Sequence, residues 1–198
     1  MSSIREFDIG ALRERFGLNT FVETGCFQGD GIAVALEVGF ERVFSCDISP
    51  EFVQRCRSRF QGNDSITVLQ LSSLAFLKQV LSALSGPTLF WLDAHFPHVF
   101  GLDELERSVG RFPLPEELAT IAALKADVVS DVVVADDLRV IEDPQNLRWR
   151  AGELPEELIV RDLTITELVQ LFAVSHELAL DPRAEGALVL TPNSQCTP

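Results

Sequence analysis

Phe21 to Gly31, FVETGCFQGDG, is the stretch that decides the fold. An extended apolar pair, Phe21-Val22, runs through Glu23 into glycines at 25, 29 and 31, and a helical pattern starts at about Asp30. Strand, tight turn and helix start follow from that order. Glycines there let the backbone approach a ligand closely, and the free N–H groups of the new helix favour an anionic or strongly polar group. Twenty-odd residues on, Asp47 closes the apolar run RVFSCD, about where an acid takes the two hydroxyls of a ribose. Together they describe a nucleoside-type cofactor site.

Working outward, Ile9 to Phe16 has helical spacing, and Thr20 to Glu23 reads as the first strand. Asp30 to Val38 is the next helix and Arg42 to Asp47 the second strand. Ser49-Pro50 is a cap and first-turn proline for a helix to about Phe60. Ser65 to Gln70 is the third strand, Ser72 to Leu84 the helix after it, and Gly86-Pro87 turns the chain into TLFWLD, ending at Asp93. A helix over about Pro115 to Ala126 leads to DVVVAD, ending at Asp136. Thr164 to Phe172 is helical, and Ala173 to Leu180 with Gly186 to Thr191 make a hairpin-like ending around Asp181-Pro182. Five strands separated by helical patterns imply right-handed crossovers, hence a doubly wound α/β domain with helices on both faces of a mostly parallel sheet. The repeated LPEEL at 114–118 and 154–158 is proline and acids at helix starts, not a structural repeat.

A chain of 198 residues with 46% hydrophobic and 23% charged content is read as one globular domain, 1–198. Its formal charge of −14 repels polyphosphates, so no nucleic-acid partner is expected. No apolar run approaches the roughly 20 residues of a membrane span. The cysteines at 26, 46, 56 and 196 have no paired metal spacing, and nothing resembles a secretory leader, so a reduced cytoplasm is expected.

Two families compete for the glycine turn. Read as T-G-x-x-x-G-x-G, Thr24 to Gly31 is similar to the short-chain dehydrogenase fingerprint, with Asp47 for an NAD ribose; that family works through a Tyr-x-x-x-Lys pair, and this chain has no tyrosine. Read as E-x-G-x-x-x-G, Glu23, Gly25 and Gly29 resemble the first motif of the class I S-adenosylmethionine-dependent methyltransferases, with Phe27 where many members have glycine. Asp47 matches that family's ribose-binding acid. The resemblance runs from about 20 to 191 and implies a Rossmann-like seven-stranded sheet of order 3-2-1-4-5-7-6 with an antiparallel C-terminal hairpin. It implies cofactor contacts from Glu23, Thr24, Gly25, Cys26, Phe27 and Gly29, from Asp47 and Ile48, from Ser72 near the adenine, and from Asp93. A Leu71-Ser72 pair stands where many relatives carry an acid.

WLDAH (91–95) and VVADD (133–137) close neighbouring strands, which lie about 4.8 Å apart. Asp93, Asp136 and Asp137 are therefore expected in one small volume. Like charges at about 4 Å cost roughly 4 kcal/mol per pair at an effective dielectric of 20, so the group needs protons or a cation. A hard divalent ion, Mg²⁺ first, with calcium or manganese open, answers the ligand type. The pattern resembles the metal-dependent small-molecule O-methyltransferases of the macrocin and catechol types, which implies Asp93, Asp136 and Asp137 as ligands. The plainer reading is that Asp136-Asp137 caps a turn and Asp93 orients the cofactor's methionine portion. His95, two positions past Asp93 where the macrocin type often has an acid, is the candidate base. His98, in the loop beyond, and His176, on an edge strand, are read as structural, and Cys26 as a packing residue.

The connections after Asp93 and Asp137 exceed the usual two to six residues. Segments 96–113 and 138–162 are expected to enclose a small-molecule acceptor, with Phe96, Phe100, Phe112 and Trp149 available to stack and Arg139, Arg148 and Arg150 available for an anion. The expected activity is methyl transfer to a hydroxyl, nitrogen or carbon acceptors remaining open. Competing readings are a domain that binds the cofactor without turnover and an NAD-dependent oxidoreductase. A homodimer through the first helix or the last hairpin is open as well.

Overall fold

In the computed structural model, residues 4–96, 101–141, 155–181 and 186–193 are described. Seven strands form one sheet in the order β3-β2-β1-β4-β5-β7-β6: β1 Thr20–Thr24, β2 Arg42–Asp47, β3 Ile66–Gln70, β4 Thr88–Leu92, β5 Val132–Ala135, β6 His176–Asp181 and β7 Ala187–Pro192. The first five run parallel; β7 pairs antiparallel with both β5 and β6. This is the topology expected from the sequence.

Alternation along the central strands builds two cores. Phe21, Leu89, Trp91, Val132 and Val134 meet the helices α1 (Ile9–Phe16), α2 (Asp30–Glu37) and α3 (Pro50–Arg59) on one face. Val22, Phe90, Leu92, Val133 and Ala135 meet α4 (Ser73–Val80), α6 (Leu114–Leu124) and α7 (Ile165–Val169) on the other. With both faces covered, β1, β4 and β5 are buried throughout and read as unbroken apolar runs. Each fully buried large side chain contributes about 1.5–3 kcal/mol.

Helix starts follow the caps in the sequence. Ser49 and Ser72 accept the N–H groups of Phe52 and Ala75 with their hydroxyls, both at 3.4 Å, ahead of α3 and α4. Thr164 and Glu167 make a reciprocal capping box for α7.

Three boundaries differ from expectation. A short helix, α5 (Asp103–Val109), lies inside segment 96–113; it buries none of its residues, so no apolar period announces it. Its first turn does hold Asp103, Glu104 and Glu106, a favourable match to the positive end of a helix. The helix after β3 ends at Val80 and tightens into a 3-10 turn, Leu81–Ala83. The penultimate strand starts at His176, because 171–175 form turns in which Ser175 and His176 both donate to the Phe172 carbonyl. Segment 138–162 is described at its ends, where 3-10 turns Leu138–Val140 and Glu156–Leu158 flank a parallel bridge between Ile141 and Val160. His98, Phe100, Arg148, Trp149 and Arg150 lie outside the described residues.

Candidate cofactor and metal site

The turn after β1 is wedged between the ends of its two neighbours. Gly25 and Cys26 both donate their N–H groups to the Cys46 carbonyl of β2, at 3.0 and 2.8 Å, and Asp93 donates its N–H to the Thr24 carbonyl at 3.1 Å. Gly25 has φ +87°, and a Cβ there would stand 2.5 Å from the Asp93 carbonyl oxygen. Only glycine fits that contact. Phe27, at φ +39°, donates its N–H to Asp47 Oδ2 at 3.1 Å, while Ser49 donates to Oδ1 at 2.9 Å. The Asp47 carboxylate is thereby held by one backbone donor per oxygen, with lone pairs left over at the cavity it lines. Burial raises its pKa and these N–H groups oppose that.

Glu23 sits beneath the turn at 2% exposure, accepting the Ser45 hydroxyl at 2.5 Å. Burial pushes its carboxyl up to about 8. Cys26 is buried as a packing residue, but beside a second thiol the sequence did not single out: Cys56 of α3, whose sulfur lies 3.5 Å from the Phe27 carbonyl oxygen. The Phe27 ring packs edge-on against Phe52 in the cavity wall.

At the ends of β4 and β5, Asp93, His95 and Asp137 each offer a ligand atom within 4.8 Å of the others. Two carboxylates and an imidazole thus converge. Asp136, the third predicted ligand, is outside that trio; it is 2% exposed and lines the same cavity. Burial, then the charges of Asp136 and Asp137, raise the Asp93 carboxyl well above the ordinary range. His95 is 7% exposed, and neither ring nitrogen meets a partner at hydrogen-bonding geometry. Burial lowers its pKa to about 4, the Asp136 backbone pulling weakly the other way, so the ring is neutral near pH 7. Phe112 and Phe96 flank it, their own rings stacked at 5.9 Å. Arg139, read as an anion binder, reaches Asp137 Oδ1 with its Nε at 3.4 Å.

These groups share one cavity of about 560 Å³, within the span usual for small-molecule sites. Gly25, Cys26, Phe27, Asp47, Ile48, Ser72, Asp93, His95, Asp136 and Asp137 all line it. Glu23 lines it too, but Thr24 and Gly29 do not: the Thr24 side chain turns to the α4 and α6 face and is fully buried, and Gly29, at φ +82°, is packed against Phe60 and Cys56. Among the described residues, three of the four non-glycine positions with positive φ (Phe27, Phe96 and Asp137) line this cavity. Backbone strain of that kind collects at functional sites. His176 is structural, its ring nitrogens meeting Ser175 Oγ at 2.8 Å and the Asp131 carbonyl at 3.0 Å.

No protein-family model matches this sequence, and no curated protein matches it. Solved structures do match in three dimensions. The S-adenosylhomocysteine-bound methyltransferase PaMTH1 of Podospora anserina has a TM-score of 0.62 at 15% identity, covering 98% of this chain and 80% of that one. The O-methyltransferase of Bacillus cereus in complex with S-adenosylhomocysteine gives 0.58 at 13%, and TomG of Streptomyces achromogenes, an O-methyltransferase of tomaymycin synthesis in complex with S-adenosylmethionine, gives 0.59 at 14%; each alignment covers 98% of this chain and 82% of the other. The fold is therefore that of the class I S-adenosylmethionine-dependent methyltransferases. Among the described residues, no helix is long and apolar enough to cross a membrane.

Proposed function

We propose that this protein transfers the methyl group of S-adenosylmethionine to a hydroxyl of a small acceptor, with a divalent cation held where β4 and β5 end. The observation that carries the reading is adjacency: the Gly25 cradle and the Asp93-His95-Asp137 trio meet at one backbone contact, Gly25 against Asp93. A nucleoside cofactor fits the residues present. Asp47 has two pre-oriented oxygens for the two sugar hydroxyls, and Ile48 and Leu71 flank the space beyond it for a planar base. When bound, the cofactor supplies an electrophilic methyl on a sulfonium.

The chain's own task is alignment, water exclusion and proton handling. Segments 96–113 and 138–162 would enclose the acceptor, with Phe96 and the aromatic wall beside His95 against its apolar part. A cation fits the donor set of two carboxylates and an imidazole: Mg²⁺ suits the oxygens, and the nitrogen favours Mn²⁺. Such an ion would lower the pKa of an acceptor hydroxyl. Asp93 and Asp137 carry it in either of two arrangements. With Asp136 as third ligand, His95 is left neutral and unpartnered to take the acceptor's proton; with His95 as ligand, Asp136 remains to orient the group. The three described cysteines are free thiols, in keeping with the cytoplasmic location we propose.

The test is a mass-spectrometric methyl-transfer assay over a panel of vicinal diols and catechols, with Mg²⁺, with Mn²⁺ and with chelator, on the natural protein and on His95→Ala. Methylated product that needs the cation is expected. Loss of turnover in H95A at unchanged cation affinity assigns His95 as base, and loss of affinity assigns it as ligand. Turnover indifferent to chelator would remove the cation from the account.

A further inference from the structure

Arg139 is the one side chain of fixed positive charge among the described residues that line the cavity, where six carboxyl groups also stand. Its place is the reverse of what the proposed occupants call for. A sulfonium and a divalent cation are both positive, and the Arg139 Nε lies 3.4 Å from Oδ1 of Asp137, one of the three residues whose donor atoms converge within 4.8 Å. Like charges at such range repel even through the effective dielectric of a protein.

The residue is also firmly mounted. It is the middle residue of the 3-10 turn Leu138–Val140, and its two neighbours are buried at 0% and 1% exposure. The Leu138 N–H donates to the Gly186 carbonyl at 3.0 Å, and the Val140 carbonyl accepts the Val160 N–H at 2.7 Å. A turn pinned on both sides fixes where the long side chain starts. That side chain is 33% exposed, so its charge stays at the cavity wall and not in open solvent.

A charge that opposes both cofactor and cation suits a third component that is negative, and the acceptor is the component left to carry it. Its other part is set by the same wall. Phe96, stacked on Phe112 at 5.9 Å, lines the cavity together with Val109, Val140 and Leu158.

We propose that Arg139 selects an acceptor bearing a carboxylate: the hydroxyl to be methylated faces Asp93 and Asp137, an apolar ring lies along Phe96, and the carboxylate meets the guanidinium. This rests on the methyl-transfer reading above. The planar guanidinium presents paired N–H donors that match the two carboxylate oxygens, a fit that a lysine ammonium does not reproduce. The acceptor's negative charge also offsets the positive groups beside it. The reaction is unchanged: the methyl leaves sulfur for the acceptor oxygen, that oxygen gives up its proton, and S-adenosylhomocysteine departs.

The experiment is calorimetric binding of protocatechuate and homoprotocatechuate, each against its own amide, to protein loaded with S-adenosylhomocysteine and Mg²⁺. It is run on the natural protein, Arg139→Ala, Arg139→Gln and Arg139→Lys, with thermal melts, with S-adenosylhomocysteine affinity alone, and with kcat/KM for methylation of the same compounds. The natural protein is expected to prefer the acid over the amide by about tenfold or more in at least one pair, R139A and R139Q to fall below about threefold, and R139K to lie between. Both members of a pair carry the same diol, so any change in cation binding cancels from the ratio. R139Q and R139K keep most of the stem, so a folding defect in R139A leaves them to decide. Equal binding of acid and amide by the natural protein, or a preference that survives in R139Q, overturns the proposal and leaves Arg139 a counter-ion to Asp137 only. Weakened S-adenosylhomocysteine binding in the variants overturns it too, by assigning the guanidinium to the cofactor's own carboxylate. Methylation of any of the compounds keeps the methyl-transfer reading in these cases; binding of S-adenosylhomocysteine with no diol bound ends the proposal alone, and no binding of S-adenosylhomocysteine ends both.

Discussion

Glu23 and Gly31 share one volume: a Cβ on Gly31 would fall inside the Glu23 carboxylate. The third glycine of the turn is therefore required by a buried acid at the end of β1 and not by its own backbone, which is ordinary helix. Gly31→Ala is expected to destabilise by roughly 2–3 kcal/mol, about 5–10 °C in a melt, through displacement of a buried polar group. In a double-mutant cycle with Glu23→Ala, which clears the space, denaturant titration should show a coupling above about 1 kcal/mol. Additive losses would refute the contact.

Gly25→Ala meets both a positive φ and the Asp93 carbonyl, so the turn must shift away from β4. Affinity for S-adenosylhomocysteine should fall by more than about tenfold even in a folded variant, read by calorimetry. Asp47→Ala should cost a comparable factor or more by removing charge-assisted hydrogen bonds to the sugar, and a 2′-deoxy analogue should lose less in that variant than in the natural protein.

Burial raises Glu23 to about 8 and Glu117 to about 7, from 4.5. Between these values the folded chain binds more protons than the unfolded one, so the stabilisation is complete below pH 4.5 and is lost as pH rises toward 7 and 8. Denaturant unfolding of the free protein should show stability falling from pH 5 to pH 8. Glu23→Gln and Glu117→Gln should each flatten the slope, by an amount of order 1 kcal/mol or more. A slope unchanged from that of the natural protein in either variant contradicts the assignment for that residue.

Asp137 has φ +62°, a conformation that asparagine tolerates, so Asp137→Asn should keep the melting temperature while weakening Mn²⁺ binding about tenfold or more. Arg139 acts in the opposite sense. Its guanidinium, 3.4 Å from Asp137, opposes a cation there, and Arg139→Ala should strengthen Mn²⁺ binding several-fold at low salt. Both are read by calorimetric metal titration.

The parts of the molecule legible in the sequence are those fixed by local chemistry. Apolar runs ending in Glu23, Asp47, Asp93 and Asp136 marked the central strands and placed four acids at one edge of the sheet, because parallel strands end on the same side, while the strand order came from the family resemblance. Caps at Ser49, Ser72 and Thr164 set helix starts within a residue or two. What stayed hidden depends on contacts distant in sequence. Glu117 looked like a helix-start acid in LPEEL until α6 was docked on β1, and Cys56 met the glycine turn only through the packing of α3. Helix α5 left no apolar period because it covers no core. That His95 rather than Asp136 comes within 4.8 Å of Asp93 and Asp137 was hidden as well, since it depends on how the chain turns after each strand.

The central claim is that this crevice holds a sulfonium nucleoside, and calorimetry of the natural protein with S-adenosylmethionine, S-adenosylhomocysteine and NADH tests it most directly. Saturable one-to-one binding of the first two, weakened by Asp47→Ala, with no heat from NADH, is the expected result. Saturable binding of NADH with none of either sulfur nucleoside would contradict it.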